Sequence, residues 1–212
     1  VDKCIVDPYN FFLKNITSSL SLFQACKTYI DSYKINKNFK IIHLSTAEFY
    51  GSITGNKHSS EKSRFNPSSP YSSSKASVHL MAYSWYTTFG LPINIAIASN
   101  NYGPYQHPEK LIPNVINRII KGLPIQLYGN GKNIRNWTYV EDTVKALISI
   151  MKFNGMGQEF NIASDQLVTN FNVIQHIMND NNISKKNPKQ HIEYIADRPG
   201  HDFRYSLSTK KF

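Results

Sequence analysis

Two residues four positions apart could supply the chain with a general base. Tyr71 and Lys75 follow Pro70 at the start of a predicted helix, where a spacing of four places two side chains on one face. An ammonium group beside a phenol stabilises the phenolate and lowers its pKa, which predicts a usable base near neutral pH. Tyr33 and Lys37 have the same spacing, so the pair by itself also agrees with coincidence.

A hydroxyl and a carboxylate follow the first predicted buried strand. The run from Lys40 to Ser45 is mainly apolar with adjacent β-branched residues, and Thr46 and Glu48 come directly after it. Open α/β sheets bind ligands at the carboxyl ends of their strands, so these side chains could join Tyr71 in an acid/base site. The alternative is that Thr46 only ends the strand and that Glu48 is a solvated loop acid.

Helices and strands alternate along the rest of the chain. Asp7 and Pro8 suit the N-cap and first turn of a helix that extends to about Tyr33. The patterns predict further helices at about 71–89, 111–121, 140–151 and 170–179, and strands at 93–98, 125–128, 160–162 and 191–195. Such alternation predicts an α/β architecture on a parallel sheet.

The chain contains no glycine-rich phosphate turn, so either the fold binds no dinucleotide or its first strands are missing.

Composition excludes several classes of protein. The 212 residues suffice for one domain with a core, and no apolar run reaches the roughly 18 residues that a membrane helix needs, so a cytoplasmic location is expected. Cys4 and Cys26 lack the spacing of a disulfide framework or a metal site, and no metal is expected. The net charge of +10 favours anionic partners, but the lysines are dispersed, which argues against nucleic acid.

Longer motifs resemble one family over the whole length of the chain. They occur in family order and resemble the extended short-chain dehydrogenase/reductases, and among these the nucleotide-sugar 4,6-dehydratases of the dTDP-glucose type. The matching stretches are residues 1–3, 45–51, 69–76, 99–106, 108–113, 128–131, 135–137, 139–142 and 197–202.

The resemblance implies a fold and a division of the chain. The fold would be α/β with a doubly wound parallel sheet, Rossmann-like with its N-terminal strands missing, and with a smaller C-terminal substrate-binding part. Residues 1–105 would be the remainder of the NAD-binding domain, and residues 106–212 mainly the sugar-nucleotide-binding part, interleaved with the first. Because the match begins after the family's phosphate-binding turn, we expect a middle fragment of a longer protein that binds NAD poorly by itself.

The resemblance also implies an activity and the roles of individual residues. The implied activity is the conversion of dTDP- or UDP-glucose to the 4-keto-6-deoxy sugar, with NAD as the internal hydride carrier. Tyr71 would take the proton of the C4 hydroxyl, Lys75 would lower the pKa of Tyr71 and hold the nicotinamide ribose, and Asn101 would lie against NAD. Thr46 would hydrogen-bond to the sugar O4. The residues implied in substrate binding are Thr46, Asn100, Lys110, Leu111, Gln126, Tyr128, Arg135, Asn170, Arg198 and His201.

The charge of the substrate agrees with part of this set. A sugar nucleotide carries two phosphate groups, and Lys110, Arg135 and Arg198 are cations suited to them. For Arg135 the alternative is a surface-loop arginine beside Trp137. The expected partners are a nucleotide sugar and a second copy of the chain, without nucleic acid or membrane.

The position after Thr46 departs from the family pattern. The dehydratases carry an aspartate there that protonates the leaving C6 hydroxyl, while the next glutamate, Glu48 here, removes the C5 proton; this chain has Ala47. Alanine donates no proton, so water elimination is expected to be slower by roughly 10² to 10⁴. Two alternatives therefore stay open: a related decarboxylase or epimerase that uses only C4 oxidation, and a non-catalytic sugar-nucleotide-binding relative. A smaller departure is Gln126, where the bacterial enzymes tend to carry proline.

Overall fold

The computed structural model describes residues 2–33, 39–180 and 191–211. Its helices are α1 (Asp2–Val6), α2 (Pro8–Tyr33), α3 (Pro70–Phe89), α4 (Leu111–Ile120), α5 (Val140–Lys152) and α6 (Asn170–Asn179). Its strands are β1 (Ile41–Thr46), β2 (Ile93–Ala98), β3 (Asn100–Tyr102), β4 (Ile125–Tyr128), β5 (Ile134–Tyr139), β6 (Glu159–Ile162), β7 (Leu167–Thr169) and β8 (Ile192–Ile195). All the predicted helices and strands are present, with bounds that differ by one or two residues.

The central sheet is parallel and has helices on both faces. Its strand order is β1-β2-β6, and β2 is buried along its whole length. Ile93, Ile95 and Ile97 pack with α2 and α3 on one face, whereas Ala96 packs with α5 on the other. The alternation follows from the two-residue period of a strand. Buried on both faces, β2 is a continuous apolar run, which is why the sequence predicts it well.

Helix α3 begins at a capping box. The Ser69 hydroxyl accepts a hydrogen bond from the Ser72 N–H, and the Ser72 hydroxyl accepts one from the Ser69 N–H, both at 3.1 Å. Pro70 occupies the first turn, and the left-handed Gly90, with φ of 67°, ends the helix. The first turn of α3, which carries Tyr71, therefore has a fixed position at the edge of the sheet.

Two smaller sheets are formed by strands between residues 100 and 195. One has the order β3-β5-β7, and the other joins β4 to β8 in parallel. Helices α4 and α6 cover β4 through a cluster of buried apolar side chains. The sequence patterns did not predict β3, β5 and β7. Strand β5 was missed because its buried residues Arg135 and Asn136 are polar and are satisfied by hydrogen bonds instead of apolar contacts.

Segments distant in sequence are joined at the sheet. Strand β6 pairs with β2, and the loop between β1 and α3 is held by residues near position 207 through a bridge between Ser59 and Leu207. The Ser59 N–H donates to the Ser206 carbonyl, and the Ser208 N–H donates to the Ser59 carbonyl, each at 2.8 Å. None of the helices described here is long and apolar enough to cross a membrane.

Candidate functional site

A cleft of about 650 Å³ lies beside the carboxyl end of β1, the start of α3 and strand β4. The predicted residues Thr46, Glu48, Tyr71 and Asn101 line it. So do the other residues predicted to bind substrate, namely Asn100, Lys110, Leu111, Gln126, Tyr128, Arg135, Asn170, Arg198 and His201. Lys75 is the predicted site residue that does not line this cleft.

Tyr71 and Thr46 meet at the catalytic end of the cleft, where the first turn of α3 faces the end of β1. Burial, and after it the charge of Glu48, raise the pKa of Tyr71 to about 12, while a hydrogen bond with the Thr46 side chain acts in the opposite direction. Lys75 is not among the groups that shift the pKa of Tyr71 here, so the expected lowering by Lys75 stays a prediction. Spacing on a helix predicted a shared face, whereas burial and a neighbouring carboxylate dominate the shift.

Lys75 lies one helical turn beyond Tyr71, and burial lowers the pKa of its ammonium group. Its charge also acts on His43 in β1, whose pKa falls to about 4, mainly through burial and then through Lys75. No side chain in residues 2–33, 39–180 and 191–211 accepts a hydrogen bond from Lys75.

A short 3-10 turn, Ala47–Tyr50, holds Glu48 in the cleft. The Glu48 N–H donates to the Thr46 hydroxyl at 3.3 Å and so caps this turn. Gly51 ends it with φ of 70°, where an added Cβ would lie 2.1 Å from the Asn66 carbonyl oxygen. Burial raises the pKa of Glu48, although the charge of Arg135 opposes the shift. The alternative that Glu48 is a solvated loop acid is wrong.

The raised pKa of Glu48 predicts a pH-dependent cost in stability. The ordinary pKa of a glutamate is 4.5, and just above that pH the carboxyl group of Glu48 stays protonated in the native state but is ionised in the unfolded chain. Stability therefore falls as the pH rises from 4.5 to the raised pKa of the native state. Glu48→Gln should therefore melt a few degrees higher than the wild type at about pH 8, and the difference should vanish towards about pH 4. Thermal unfolding across this range measures it. The exposed Glu193→Gln is the control, and an equal gain in both variants would contradict the assignment.

Arg135 lines the same cleft, and its charge acts on Glu48. It is only 3% exposed, and its guanidinium donates to the carbonyl oxygens of Ile134, Asp202 and Phe203 while lying 3.9 Å from the centre of the Tyr205 ring. The alternative of a surface-loop arginine is wrong. A guanidinium has five N–H donors, so these three hydrogen bonds fix its position and leave donors for an anion in the cleft.

The opposite end of the cleft is formed around β4. The guanidinium of Arg198 lies 4.2 Å from the centre of the Tyr128 ring, and Arg118 donates to the Gln126 amide oxygen at 2.6 Å. Lys110 precedes α4, and Asn170 is the first residue of α6. This end therefore combines cationic and amide groups with an aromatic ring.

Among the other residues that line the cleft are Ser45, Trp137 and Tyr205, which the sequence did not single out as site residues. The buried Ser45 hydroxyl and the Trp137 Nε1 have no hydrogen-bond partner within the described parts of the chain. The Tyr205 hydroxyl donates to the Asn100 side-chain oxygen at 2.9 Å. Ser45 could have been found, because it ends the same strand as Thr46. Tyr205 follows no periodic pattern, and only the fold brings it to the site.

Comparison with known proteins identifies the family. The family model described as GDP-mannose 4,6 dehydratase matches residues 1–212. The chain belongs to this family. It is 37% identical over 222 residues to the dTDP-glucose 4,6-dehydratase of Haemophilus influenzae and 38% identical over 226 residues to an enzyme of the same name from Escherichia coli K12. All of the chain is aligned in both cases, but it spans only 65% and 62% of these relatives' lengths.

Solved structures of similar proteins confirm the α/β fold class. The dTDP-glucose 4,6-dehydratase DesIV of Streptomyces venezuelae, solved with NAD bound, is 32% identical and superposes with a TM-score of 0.89. That match covers the whole chain and 62% of DesIV. The UDP-glucose 4-epimerase of Thermus thermophilus, 25% identical with a TM-score of 0.85, matches 98% of the chain and 65% of its own length. The Rossmann-like architecture predicted from the sequence is thus confirmed.

Proposed function

We propose that this chain carries the catalytic and sugar-nucleotide-binding part of an NAD-dependent dTDP-glucose 4,6-dehydratase. One observation carries the proposal: a single cleft contains the Tyr71–Thr46 pair and Glu48 at one end, and cations suited to a diphosphate beyond them. The names of the relatives that are 37 and 38% identical support the same activity. UDP-glucose is the alternative substrate.

The residues at the catalytic end fit the nicotinamide ribose of NAD. A ribose offers hydroxyl groups, the unpartnered Ser45 hydroxyl lines the cleft, and Lys75 lies one helical turn beyond Tyr71 without an acceptor in the described residues. We assign Tyr71, Lys75 and Asn101 to cofactor binding. When bound, NAD supplies a hydride acceptor for the sugar C4 carbon and later returns the hydride.

The protein's own groups handle the protons. Tyr71 would accept the proton of the C4 hydroxyl, and Thr46 would support the phenolate by hydrogen bonding. A phenol with a pKa of about 12 is a strong base but is rarely deprotonated at neutral pH, so the step depends on groups that stabilise its anion. Lys75, one helical turn beyond Tyr71 in α3, is the cation to which we assign this role. Glu48 would remove the C5 proton, and its raised pKa suits a carboxylate that must accept one.

Ala47 favours a second candidate function. It lines the cleft at the position where the resemblance implies the general acid, and its methyl group donates no proton. A non-catalytic sugar-nucleotide-binding relative, or a decarboxylase or epimerase that stops at C4 oxidation, would not need that acid. The motifs at 99–106 and 197–202 support the dehydratase over the decarboxylase and epimerase.

The remaining assignments of the whole protein are also proposals. We propose that residues 1–105 and 106–212 divide the roles of cofactor and substrate binding, and that the protein is cytoplasmic. We further propose a homodimer. Helices α2 and α3 pack side by side and expose large apolar side chains, which supports this proposal. These side chains are Leu13, Leu20, Leu22, Leu80 and Tyr83.

Binding of dTDP to the 212-residue chain tests the proposal. We expect calorimetric titration to show 1:1 binding, and Arg198→Gln to weaken it by about tenfold or more, because charged hydrogen bonds to phosphate are among the strong ones. Lys152→Gln removes the same charge from the exposed end of α5 and serves as the matched control. Absence of dTDP binding by the wild type, or an equal loss in both variants, would overturn the assignment of this cleft.

A further inference from the structure

Arg118, which has no role in the function proposed so far, contacts the predicted substrate-binding residue Gln126 at β4. Arg118, near the end of α4, donates through Nη1 to the Pro124 carbonyl and through Nη2 to the Gln126 side-chain oxygen, both at 2.6 Å. The guanidinium therefore links the connection between α4 and β4 to a side chain of β4. Gln126 also lines the cleft.

The chemistry of the pair fixes the orientation of the Gln126 amide. A guanidinium only donates hydrogen bonds, so the atom of Gln126 that faces Arg118 must be the amide oxygen and not the nitrogen. The Nε2 group, with two N–H donors, is then directed away from Arg118. No side chain in the described parts of the chain accepts from it. Arg118 thus fixes the direction of the Gln126 Nε2 donor at the wall of the cleft.

Strand β4 places this donor on the side of the strand that faces Arg198. Ile125 and Leu127 are buried against α4 and α6, so Gln126 and Tyr128 share the opposite side of the strand, about 6 to 7 Å apart. Arg198 lies against the Tyr128 ring, and the charges of Arg135 and Lys110 reach Glu48. A nucleotide sugar with its reacting carbon at Tyr71 and its diphosphate at these cations would place its nucleobase at β4.

On the basis of the proposed function, we propose that Gln126, oriented by Arg118, donates a hydrogen bond from Nε2 to a carbonyl oxygen of the nucleobase. Thymine and uracil carry carbonyl oxygens on both sides of the ring N3, so either can accept. Adenine carries none. Gln126 is thereby a residue that determines base specificity, and Arg118 is a positioning residue that acts through it.

Titration of the 212-residue chain with dTDP, ADP and inorganic pyrophosphate tests the proposal. Gln126→Met removes the donor at nearly constant length and should weaken dTDP binding about three- to tenfold, the usual loss for a neutral hydrogen bond, with pyrophosphate unchanged. Gln126→Glu keeps an acceptor for Arg118 but removes the donor, so it should weaken dTDP at least as much. The affinity for ADP, already lower, should not respond to Gln126→Met.

Arg118 is tested by the ratio of dTDP to pyrophosphate affinity. Arg118→Met should lower this ratio, and Arg118→Lys, which retains one donor, should restore part of it. In a ¹⁵N spectrum, dTDP should shift one side-chain amide pair that is missing from Gln126→Met. Wild-type binding of dTDP with unchanged affinity in both Gln126 variants would overturn the base contact alone, whereas a wild type that binds no dTDP would overturn the proposed function as well.

Discussion

Replacing Tyr71 by phenylalanine should abolish C4 oxidation, with a loss of at least a hundredfold in rate and less than a twofold change in dTDP affinity. Removal of the hydroxyl removes the proposed base, and general bases contribute about 10² to 10⁴. The cations and the β4 end, which would hold the nucleotide, stay intact. The measurement is formation of reduced nicotinamide after dTDP-glucose is added to the native protein with NAD.

The control for this variant is Tyr83→Phe, a change at an exposed tyrosine of the same helix that should leave the rate unchanged. The wild-type rate should rise with pH through the neutral and mildly alkaline range, because the pKa of Tyr71 is raised to about 12 and the deprotonated fraction grows with pH. A Tyr71→Phe protein that keeps more than about a tenth of the rate would require a different base.

Restoring a carboxylic acid at position 47 should accelerate water elimination by about 10²-fold or more, the usual contribution of a general acid. In the wild type, reduced nicotinamide should form faster than the 4-keto-6-deoxy product, because only elimination needs the proton that Ala47 lacks. In Ala47→Asp, the two rates should approach each other. Rapid-quench analysis of product beside the absorbance of the reduced cofactor distinguishes these steps.

Ala47→Asn is the matched control for the restored acid. It has the shape of aspartate without an acidic proton, so it should not accelerate elimination. Ala47 is 1% exposed and packs in the main core, so both variants should lose about 1 to 3 kcal/mol of stability through burial of a polar group. Equal rates in both variants would show that another group already donates the proton.

The elements that position the site were predictable where one physical signal dominated. Strand β2 is buried on both faces and therefore appears as an apolar run, and α3 carries its start and stop signals in Ser69, Pro70 and Gly90. Strand β5 could not be predicted, because its side chains are buried through hydrogen bonds that only the fold supplies. The partners of Arg135, for example, come from residues 202 and 203.

Apart from Lys75, the residues predicted for the site all line the cleft, but the sequence did not predict the pKa values of its ionisable groups. Spacing on a helix placed Tyr71 and Lys75 on one face, and the motifs led to Thr46 and Glu48. The pKa of Tyr71 depends instead on how deeply the phenol is buried and on the carboxylate of Glu48, which arrives from another element. The Arg118–Gln126 contact is likewise a tertiary feature, since eight positions separate two residues on different elements.

The closure of the loop after β1 by residues near position 207 sets an order for folding. His58 Nδ1 lies 2.7 Å from the Ser206 hydroxyl across 148 positions of sequence, so the contacts that hold this loop are among the least local in the described parts of the chain. Contacts of such separation form slowly, because a long loop must close before they stabilise anything. During translation, the loop that follows Glu48 cannot be fixed until residue 208 has left the ribosome. All three described strands of the central sheet, the last of which ends at Ile162, have therefore been synthesised before this loop can be fixed.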